Sequence, residues 1–380
     1  MISTRTRNRL LVPIVGMVAA LGVAACGSDD STSSTSAGSD TSTSASTGGS
    51  GTIGFLLPET ETARYETQDK PLFEEAVAKL CPDCTIAYQN ADQDATKQQS
   101  QVEAMVTQGV DVIVLDPVDS TSAAGLVTRA QQADIPVISY DRLILDADLA
   151  AYAEFNSSEV GKQQGDALVK KLADDGNPTG PIVQINGDPK DNNAKLFKEG
   201  ASAVFADNNI DVAQDYDTPD WLPENAQKEM DQAITALGKD GFKGVYAAND
   251  GTAGGAIAAL KAAGLDPSTI PVTGQDAELA AIQRIIAGEQ FMTVYKPIKP
   301  LADNAAALAV AVVNGEDPAN ASVINGTENN GTEDVPSAIT DTIPVFKDNV
   351  NDTVVKDGYW TAEEICTPEY EQACKDVGIQ

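Results

Sequence analysis

Two polar residues, Asp276 and Lys296, stand where predicted strands end. Asp276 follows the apolar run 270–273 and Lys296 follows the run 291–295, with a helix-period segment, Leu279–Ala287, between the runs. In open α/β sheets the carboxyl ends of the strands form the edge that binds ligands. Asp276 accepts hydrogen bonds and Lys296 donates them, so together they could hold a neutral, hydroxyl-rich molecule. An ion pair that stabilises a loop would use the same two residues.

The ends of the other predicted strands carry cations, carboxylates, amides and aromatic rings. Such a mixture is what a pyranose-sized pocket needs, because rings cover the apolar faces of a sugar and charged groups pair with its hydroxyls. Alternative roles stay open for some members: helix capping for Asp116, Asp191 and Asp250, and core packing for Trp221. The set comprises Arg64, Tyr65, Asp116, Asp141, Arg142, Asp191, Asn193, Trp221, Asn249, Asp250, Asp276 and Lys296.

These side chains must be positioned by alternating strands and helices. Apolar runs at 52–57, 85–88, 111–115 and 136–140 alternate with helix-like stretches at 71–80, 96–108 and 122–133, and the pattern restarts after Phe155-Asn156. It continues with strands at 181–185, 210–213, 244–248, 271–273 and 291–295 and with helices at 159–173, 192–206, 223–237 and 252–263. A helix at 301–313 and strands near Ile343 and Val354 follow. The sequence therefore predicts an α/β protein with two doubly wound parallel-sheet lobes.

Composition limits the possible functions. The 380 residues exceed what one core usually organises, and the net charge of −32 argues against nucleic acid and anionic membrane surfaces as partners. This charge favours a soluble protein that resists self-association, so we expect a monomer. The chain has no histidine, which removes Ser-His-Asp catalysis and histidine-based zinc sites but leaves hydrolysis by paired carboxylates open. Neither the glycines at 251–255 nor the acidic segment 348–352 fits a nucleotide-binding or EF-hand motif, so no cofactor or metal is predicted.

The N-terminal residues have the pattern of an export signal. A basic start precedes an apolar stretch, and residues 23–26, Val-Ala-Ala-Cys, resemble the lipobox of bacterial lipoproteins. The resemblance implies cleavage before Cys26 and a lipid on its thiol, so that residues 1–26 form a signal peptide. A plain secretory signal is the alternative. Residues 27–51 are almost entirely Ser, Thr, Gly, Ala and Asp, which predicts a disordered tether.

The remaining cysteines are expected in structural disulfides outside the cytoplasm. The Cys81-x-x-Cys84 motif follows a predicted helix and precedes a strand, whereas a thioredoxin-type motif would begin a helix. We favour the pairs Cys81–Cys84 and Cys366–Cys374. Other pairings and a four-cysteine zinc site stay open.

Several segments resemble the D-xylose-binding proteins of bacterial ABC importers, within the sugar-binding family that also includes ribose- and galactose-type binders. The resemblance extends from Thr52 to Gly358. The matching stretches are 140–142 (YDR), 191–197 (DNNAKLF), 221–226 (WLPENA), 249–257 (NDGTAGGAI), 274–277 (GQDA), 293–297 (TVYKP) and 334–337 (DVPS).

The resemblance implies a type I periplasmic binding protein, not an enzyme, with a sugar held between two lobes. The first lobe would comprise 52–155 plus 297–334 and the second 156–296 plus 335–380, with crossings near Phe155-Asn156, 295–297 and 334–336. The family usually has tryptophan at the position of Tyr65, so the resemblance leaves the exact sugar open. The sugar contacts that it implies are Arg64, Tyr65, Asp141, Arg142, Asp191, Asn193, Trp221, Asn249, Asp276 and Lys296.

The implied function is a lipid-anchored, extracytoplasmic protein that captures a monosaccharide, D-xylose first, and delivers it to an ABC permease. Glucose, arabinose or galactose as ligand, and a role as sugar sensor for a two-component or chemotaxis system, are the alternatives. A secreted glycosidase that uses paired carboxylates is a further one.

Overall fold

A computed structural model describes residues 49–379, and residues Thr47–Gln380 form one compact unit. The predicted signal peptide, Cys26 and most of the predicted tether lie outside the described residues. Among residues 49–379, no helix combines the length and the apolar character needed to cross a membrane. The strands are β1 (Thr52–Leu57), β2 (Thr85–Asn90), β3 (Val112–Leu115), β4 (Val137–Tyr140), β5 (Ala151–Phe155), β6 (Ile182–Asn186), β7 (Val212–Asp217), β8 (Gly244–Ala247), β9 (Met292–Tyr295), β10 (Gly326–Asn329), β11 (Asp334–Thr340) and β12 (Ile343–Phe346).

Helices separate most of these strands, as the sequence periodicity predicts. Several have identifiable ends: Asp94 caps the second helix by accepting from the backbone N–H groups of Thr96 and Lys97, and Gly288 ends the eighth in a left-handed conformation. The helices are α1 (Lys70–Leu80), α2 (Ala95–Gln108), α3 (Ala124–Gln131), α4 (Ser157–Asp174), α5 (Asn192–Asp207), α6 (Pro223–Leu237), α7 (Asp250–Ala262), α8 (Leu279–Ala287), α9 (Ile298–Val313), α10 (Ala362–Ile365) and α11 (Glu371–Val377).

The first lobe is built on a seven-stranded sheet with the order β10-β11-β5-β4-β3-β1-β2. All neighbouring strands are parallel except β10 and β11, which are antiparallel. The interior strand β3, Val-Ile-Val-Leu, is buried along its whole length because helices cover both faces of the sheet. Helices α1 and α9 pack on one face, and α2 and α3 pack on the other.

The second lobe contains the parallel strands β7-β6-β8 and the antiparallel pair β9-β12. The segment 271–274 lies between these two groups: Val272 forms a single parallel bridge with Val245, and its carbonyl accepts from the backbone N–H of Phe291. Helices α4 and α5 cover one face, and α6 and α7 cover the other. Gly161 allows α4 to lie against α5, since a Cβ there would be 2.0 Å from the Phe197 carbonyl oxygen.

The structure differs from the predicted secondary structure at several places, and β10 and β11 form where a loop and a crossing were predicted. Strand β5 was not predicted, because its sequence Ala-Tyr-Ala-Glu-Phe has no continuous apolar run. The predicted strand 271–273 makes only the bridge at Val272. The prediction of a strand near Val354 was wrong: Asn351–Val355 forms a helical turn whose Val354 side chain is buried.

The predicted lobe boundaries also need correction. Strand β11 pairs with β5 in the first sheet, so residues 335–340 belong to the first lobe and the third crossing follows Thr340 instead of lying at 334–336. The predicted tether extended to Gly51, but Gly49 donates its backbone N–H to the Asn314 side chain and the Gly51 carbonyl accepts from the backbone N–H of Thr85. The folded body therefore begins before Thr52.

The C-terminal segment after β12 packs on the first-lobe core and on α8. Tyr359, Trp360 and Ile365 are buried in the same cluster as Phe55 and Ile282. A disulfide joins Cys366 to Cys374, and another joins Cys81 to Cys84, which are the pairs favoured from the sequence. This segment thus contacts elements of both lobes.

Candidate ligand-binding site

A small cavity lies where the carboxyl ends of the strands of both lobes face each other. The empty space between its lining residues, including its open side, is about 290 Å³. Its lining contains every ligand residue predicted from the sequence together with residues that were not predicted. The lining residues are Thr62, Arg64, Tyr65, Asp141, Arg142, Asp191, Asn193, Phe197, Trp221, Asn249, Gln275, Asp276 and Lys296.

Most of these side chains are carried by the turns and helix starts that follow the strands. Arg64 and Tyr65 lie at the start of the helical turn Tyr65–Asp69, which follows β1 and leads into α1. The Asp141–Arg142 pair follows β4, and Lys296 follows β9. The other second-lobe residues lie at or near helix starts: Asp191 and Asn193 at α5, Trp221 before α6 and Asn249 at α7.

Arg64 is tightly paired inside the first lobe. Its Nε and Nη2 atoms donate to the two carboxylate oxygens of Asp69 at 2.9 and 2.7 Å, and Nη1 donates to Asp141 Oδ1 at 3.3 Å. The Tyr65 hydroxyl donates to the other Asp141 oxygen at 2.9 Å, and Tyr140 donates to Asp69 at 2.5 Å. Bidentate, charge-assisted hydrogen bonds of this kind fix a guanidinium group in one orientation.

Arg142 lies among three carboxylates with much looser geometry. Its Nε atom is 3.2 Å from Asp191 Oδ2 and 3.7 Å from Asp116 Oδ1, but it makes no hydrogen bond. Its Nη2 atom is 3.7 Å from Glu59 Oε1, and Nη1 donates to the Pro117 carbonyl at 3.4 Å. Both oxygens of the fully buried Asp116 lack a hydrogen-bond partner. Arg142 therefore retains donors that a ligand could use.

Asp276 and Lys296, the pair that the sequence placed at neighbouring strand ends, are in contact. Lys296 Nζ lies 2.9 Å from Asp276 Oδ1, and Arg64 Nη1 lies 3.8 Å from the same oxygen. Asp276 has a φ of 98° and Asp141 a φ of 53°, in the left-handed region that non-glycine residues seldom adopt. Strain of this kind, about 1–3 kcal/mol for each residue, persists only where neighbouring contacts impose it, and it is frequent at ligand sites.

Aromatic rings form the apolar part of the cavity. The indole of Trp221 packs against the backbone of Gly187, where a Cβ would lie 1.9 Å from the ring, and its Nε1 donates to Asp191 Oδ2 at 3.2 Å. The Phe197 ring meets it edge to face at 6.5 Å. The Tyr65 ring lies beneath both guanidinium groups, 5.0 Å from Arg64 and 5.9 Å from Arg142. Trp221 thus belongs both to the core and to the cavity wall, which combines its two predicted roles.

Some amide oxygens at the cavity have no partner within the protein. The Asn193 and Gln275 side-chain oxygens are buried and accept no hydrogen bond, although the Asn193 amide donates to the Asp141 carbonyl at 2.7 Å. Buried polar atoms are nearly always paired in folded proteins, so free acceptors in a cavity indicate that a polar ligand completes them. A hydroxyl group could donate to each.

Burial and neighbouring charges lower the pKa of one carboxyl group of the site and raise the pKa of three others. Burial favours the neutral form of Asp141, but the charges of Arg64, Lys296 and Arg142 outweigh burial and lower its pKa to about 2. For Asp191, Asp116 and Glu59, burial outweighs the attraction of Arg142 and raises the pKa of each carboxyl. The site therefore combines one firmly ionised carboxylate with several that protonate more readily.

The structure also assigns roles that the sequence left open. Asp191 does cap α5 by accepting from the Asn193 N–H, but its other oxygen faces Trp221 and Arg142. Asn249, not Asp250, caps α7. Asp116 is not a cap and lies buried beside Arg142.

Thr62, Phe197 and Gln275 were missed as lining residues. Gln275 adjoins Asp276, and Phe197 follows Asn193 by one helical turn, so proximity to predicted residues was the available signal. Within residues 49–379 no cluster of acidic, cysteine or histidine side chains has the arrangement of a metal site.

The family model of the periplasmic binding protein domain matches residues 53–317, and the chain belongs to this family of binding proteins. The similar proteins include the D-xylose-binding periplasmic protein of Escherichia coli K12, 41% identical over 82% of this chain and 92% of that protein. The D-xylose-binding periplasmic protein of Haemophilus influenzae is 39% identical over 82% of this chain and 91% of its own length. The multiple sugar-binding periplasmic receptor ChvE of Rhizobium radiobacter is 32% identical over 83% and 92%.

Solved structures support the same fold. A carbohydrate transporter solute-binding protein from Chloroflexus aurantiacus, in complex with D-glucose, matches with a TM-score of 0.72 and 32% identity, covering 82% of this chain and 97% of that one. An ABC transporter solute-binding protein from Clostridium phytofermentans with bound β-D-glucose gives a TM-score of 0.73 and 28% identity over 83% and 99%. The chain is thus a type I periplasmic binding protein and not an enzyme, and the predicted fold class is confirmed.

Proposed function

We propose that this protein captures a monosaccharide, D-xylose in the first place, between its two lobes and delivers it to the permease of an ABC importer. The observation that carries the proposal is the mixed lining of the small cavity between the lobes. Cations, carboxylates and unpaired amide oxygens from both lobes surround the same small volume, and aromatic rings form part of its wall.

A sugar matches this lining because each hydroxyl group both donates and accepts hydrogen bonds. Arg142 and Lys296 can donate to hydroxyl oxygens, whereas Asp276, Asn193 and Gln275 can accept from hydroxyl protons. The site as a whole contains both signs of charge, so a neutral molecule is favoured over a free ion. Specificity follows from the same groups, because a sugar that lacks one hydroxyl leaves a buried polar atom unpaired.

The named relatives favour a pentose. Two of them are called D-xylose-binding periplasmic proteins, and these have the higher identities among the proteins described above. Glucose is bound in the two solved structures, which have lower identity, so glucose is the next candidate, followed by arabinose and galactose. Tyr65, where the family usually has tryptophan, is the residue at which the preference could shift.

The mechanism that we propose is closure of the lobes around the sugar. Contacts across the cleft include the hydrogen bond from the Asn193 amide to the Asp141 carbonyl and the bond from the Ser120 N–H to the Lys190 carbonyl. A ligand that bridges the lobes makes more contacts in the closed form and so shifts the population towards it. The permease would then recognise the closed shape.

The location that we propose is the outer face of the cell membrane, with a lipid on Cys26 as the only membrane contact. This part of the proposal depends on the lipobox-like residues 23–26 and on the polar segment that follows them. The test is metabolic labelling with a radioactive fatty acid in a bacterial host, compared with the Cys26→Ala variant. Equal labelling of both proteins would exclude the lipid anchor.

A sensory role is the second candidate. One relative is named a receptor, and a sensor would use the same cavity with a different membrane partner. Deletion of the cognate importer separates the two roles: loss of uptake without loss of a sugar-dependent transcriptional response would favour the sensor. The glycosidase alternative is withdrawn, because the chain belongs to a family of binding proteins.

Calorimetric titration of the chain from Thr47 onward with D-xylose, D-glucose, L-arabinose, D-galactose and D-ribose tests the ligand. We expect one-to-one binding with xylose preferred. Asp276→Asn should weaken binding by about 1.5–3 kcal/mol, the usual value of a hydrogen bond to a charged group, or roughly 10- to 150-fold in Kd. Asp303→Asn, on the exposed side of α9 where Asp303 pairs with Lys299, is the matched control and should leave Kd unchanged. Absence of binding to all the sugars would refute the proposal.

A further inference from the structure

The C-terminal segment reaches the backbone of the site residue Asp276. The Tyr359 hydroxyl donates to the Asp276 carbonyl at 3.2 Å, and the Trp360 indole Nε1 donates to the Ala277 carbonyl at 2.7 Å. Both rings are buried and meet edge to face at 5.3 Å. These hydrogen bonds come from residues more than 80 positions along the chain, outside every motif on which the ligand residues were predicted.

The backbone that these side chains hold is strained. Asp276 and Ala277 have φ values of 98° and 52°, and neither residue is glycine. Their N–H groups are held from the other side, by the Val294 carbonyl and by the Thr293 hydroxyl. The N–H and C=O groups of both residues are therefore bound by neighbouring segments, and such surrounding contacts are needed to maintain an unfavourable conformation.

The orientation of this dipeptide determines where the Asp276 carboxylate lies. In the observed conformation Oδ1 is 2.9 Å from Lys296 Nζ and faces the cavity. A change of φ at Asp276 towards an ordinary value would rotate the side chain relative to the peptide bonds that β9 and the C-terminal segment hold. The backbone hydrogen bonds on both sides therefore oppose a rotation that would carry the carboxylate away from Lys296.

The C-terminal segment is itself fastened to the body of the protein. The Gln283 side chain on α8 donates to the carbonyls of Glu364 and Ile365, and the Cys366–Cys374 disulfide closes the segment just beyond α10. Trp360 thus extends from an anchored segment. These anchoring contacts lie away from the carbonyls of Asp276 and Ala277, so they can be altered separately.

We propose that Tyr359 and Trp360 are positioning residues for the ligand site, which hold the strained Asp276–Ala277 backbone so that the Asp276 carboxylate faces the ligand. This inference rests on the proposed function, since it assigns to Asp276 a contact with the bound sugar. Neither aromatic side chain lines the cavity. They act through Asp276.

The test uses two substitutions that remove the donors and retain aromatic rings, Tyr359→Phe and Trp360→Phe, singly and together. Hydrogen exchange of the ligand-free protein should be faster at the amides of Asp276 and Ala277 in the double variant. The Kd for the sugar that binds the unaltered protein best should rise about 5- to 20-fold at a temperature where the variant is fully folded. Gln283→Ala is the matched control: it weakens the anchoring of the segment and should lower the thermal midpoint with little change in Kd.

A cycle with Asp276→Asn separates positioning from general destabilisation. If the two rings act through Asp276, the double substitution should weaken binding clearly less in the Asp276→Asn background than in the unaltered protein. Unchanged exchange at Asp276 and Ala277 would overturn the inference, and so would faster exchange with an unchanged Kd or full additivity in the cycle. If the unaltered protein binds no sugar, the proposed function fails and the claimed positioning for a ligand is overturned with it. Binding by the unaltered protein with equal binding by the variants overturns only the positioning.

Discussion

Two buried guanidinium groups line one cavity, yet the protein pairs them very differently. Arg64 makes a bidentate contact with Asp69 at 2.7 and 2.9 Å and a further hydrogen bond to Asp141. Arg142 has carboxylates at 3.2–3.7 Å on several sides but no hydrogen bond to any of them. The same side chain at the same depth is therefore held by close carboxylate hydrogen bonds in one place and only loosely in the other.

This difference separates the scaffold of the site from its ligand contacts. A buried charge held by a close bidentate ion pair fixes the shape of its surroundings, and most of its attraction is already satisfied. A buried charge whose donors are not all hydrogen-bonded has lost its contacts with water without replacing them. A polar group of a ligand therefore gains more by pairing with it. We therefore propose that Arg64 chiefly holds the first-lobe wall and that Arg142 chiefly contacts a bound sugar.

The largest expected effect is a difference in the stability of the protein when one or the other arginine is replaced. Arg64→Met removes one partner of a tightly paired, buried network and leaves Asp69 uncompensated. We expect the free energy of unfolding to fall by about 3–5 kcal/mol, the usual result of breaking a buried ion pair from one side. Urea denaturation of the ligand-free protein measures this change.

Arg142→Met is the matched control, since it removes the same group at the same burial. It should cost clearly less stability than Arg64→Met, because the raised pKa values of Asp116 and Glu59 let these carboxyls take up protons when the cation is lost. It should instead weaken sugar binding in calorimetry. Equal losses of stability from the two substitutions would contradict the division between scaffold and contact.

The carboxyl groups beside the two arginines should also make stability depend on pH in opposite directions. The pKa of Asp141 is lowered to about 2, against ~3.9 in the unfolded chain, so its contribution of about 2–3 kcal/mol is fully present above pH ~4 and is lost as the pH falls towards 2. The pKa values of Asp116 and Glu59 are raised, so in the folded state they bind protons that the unfolded chain has released. Their effect is a stability that decreases as the pH rises above their ordinary values.

Urea titrations between pH 2 and 8 measure both effects. Asp141→Asn should reduce the loss of stability below pH 4, whereas Asp116→Asn should reduce the decline above pH 4. Each variant is the control for the other, because the pKa shifts of the two buried carboxyls have opposite signs. A pH dependence that neither substitution alters would show that other groups determine it.

The sequence was sufficient to predict which strand ends meet but not how the side chains pair there. Asp141, Asp276 and Lys296 could be placed because parallel strands bring their carboxyl ends to one edge, and two lobes bring two such edges together. The sequence did not allow the partner of Arg64, Asp69, to be predicted. Asp69 reaches it across the helical turn Tyr65–Asp69, a local geometry with no periodic signal in the sequence.

The errors in the fold have similar physical causes. Strand β5 alternates small and large residues, Ala-Tyr-Ala-Glu-Phe, and its burial comes from neighbours on both sides and not from its own apolar character. Val354 follows the turn-forming residues Asn351 and Asp352 and buries its side chain from a helical turn. The contact of Trp360 with the site could not be predicted from the sequence, because its indole Nε1 donates to a carbonyl 83 positions earlier in the chain.

The smallest expected effect concerns Tyr65, whose ring contacts both Arg64 and Arg142. Its hydroxyl donates to Asp141 Oδ2 at 2.9 Å, while its ring lies under both guanidinium groups. Tyr65→Phe removes the hydroxyl and keeps the ring, so it should destabilise the protein by about 1.5 kcal/mol, at the lower limit for a hydrogen bond to a charged group. Urea denaturation at neutral pH measures the change.

Tyr88→Phe is a control for Tyr65→Phe, because Tyr88 also donates to a carboxylate, that of Glu66, but on the half-buried edge strand β2. It should cost less than Tyr65→Phe, since solvent can replace the hydrogen bond. The ring of Tyr65 should account for most of its effect on the sugar: Tyr65→Phe should retain most of the affinity in calorimetry, and Tyr65→Ala should lose much more. If Tyr65→Phe and Tyr65→Ala weakened binding equally, the hydroxyl and not the ring would be the ligand contact, and Asp141 would belong with Arg142 among the groups that recognise the sugar.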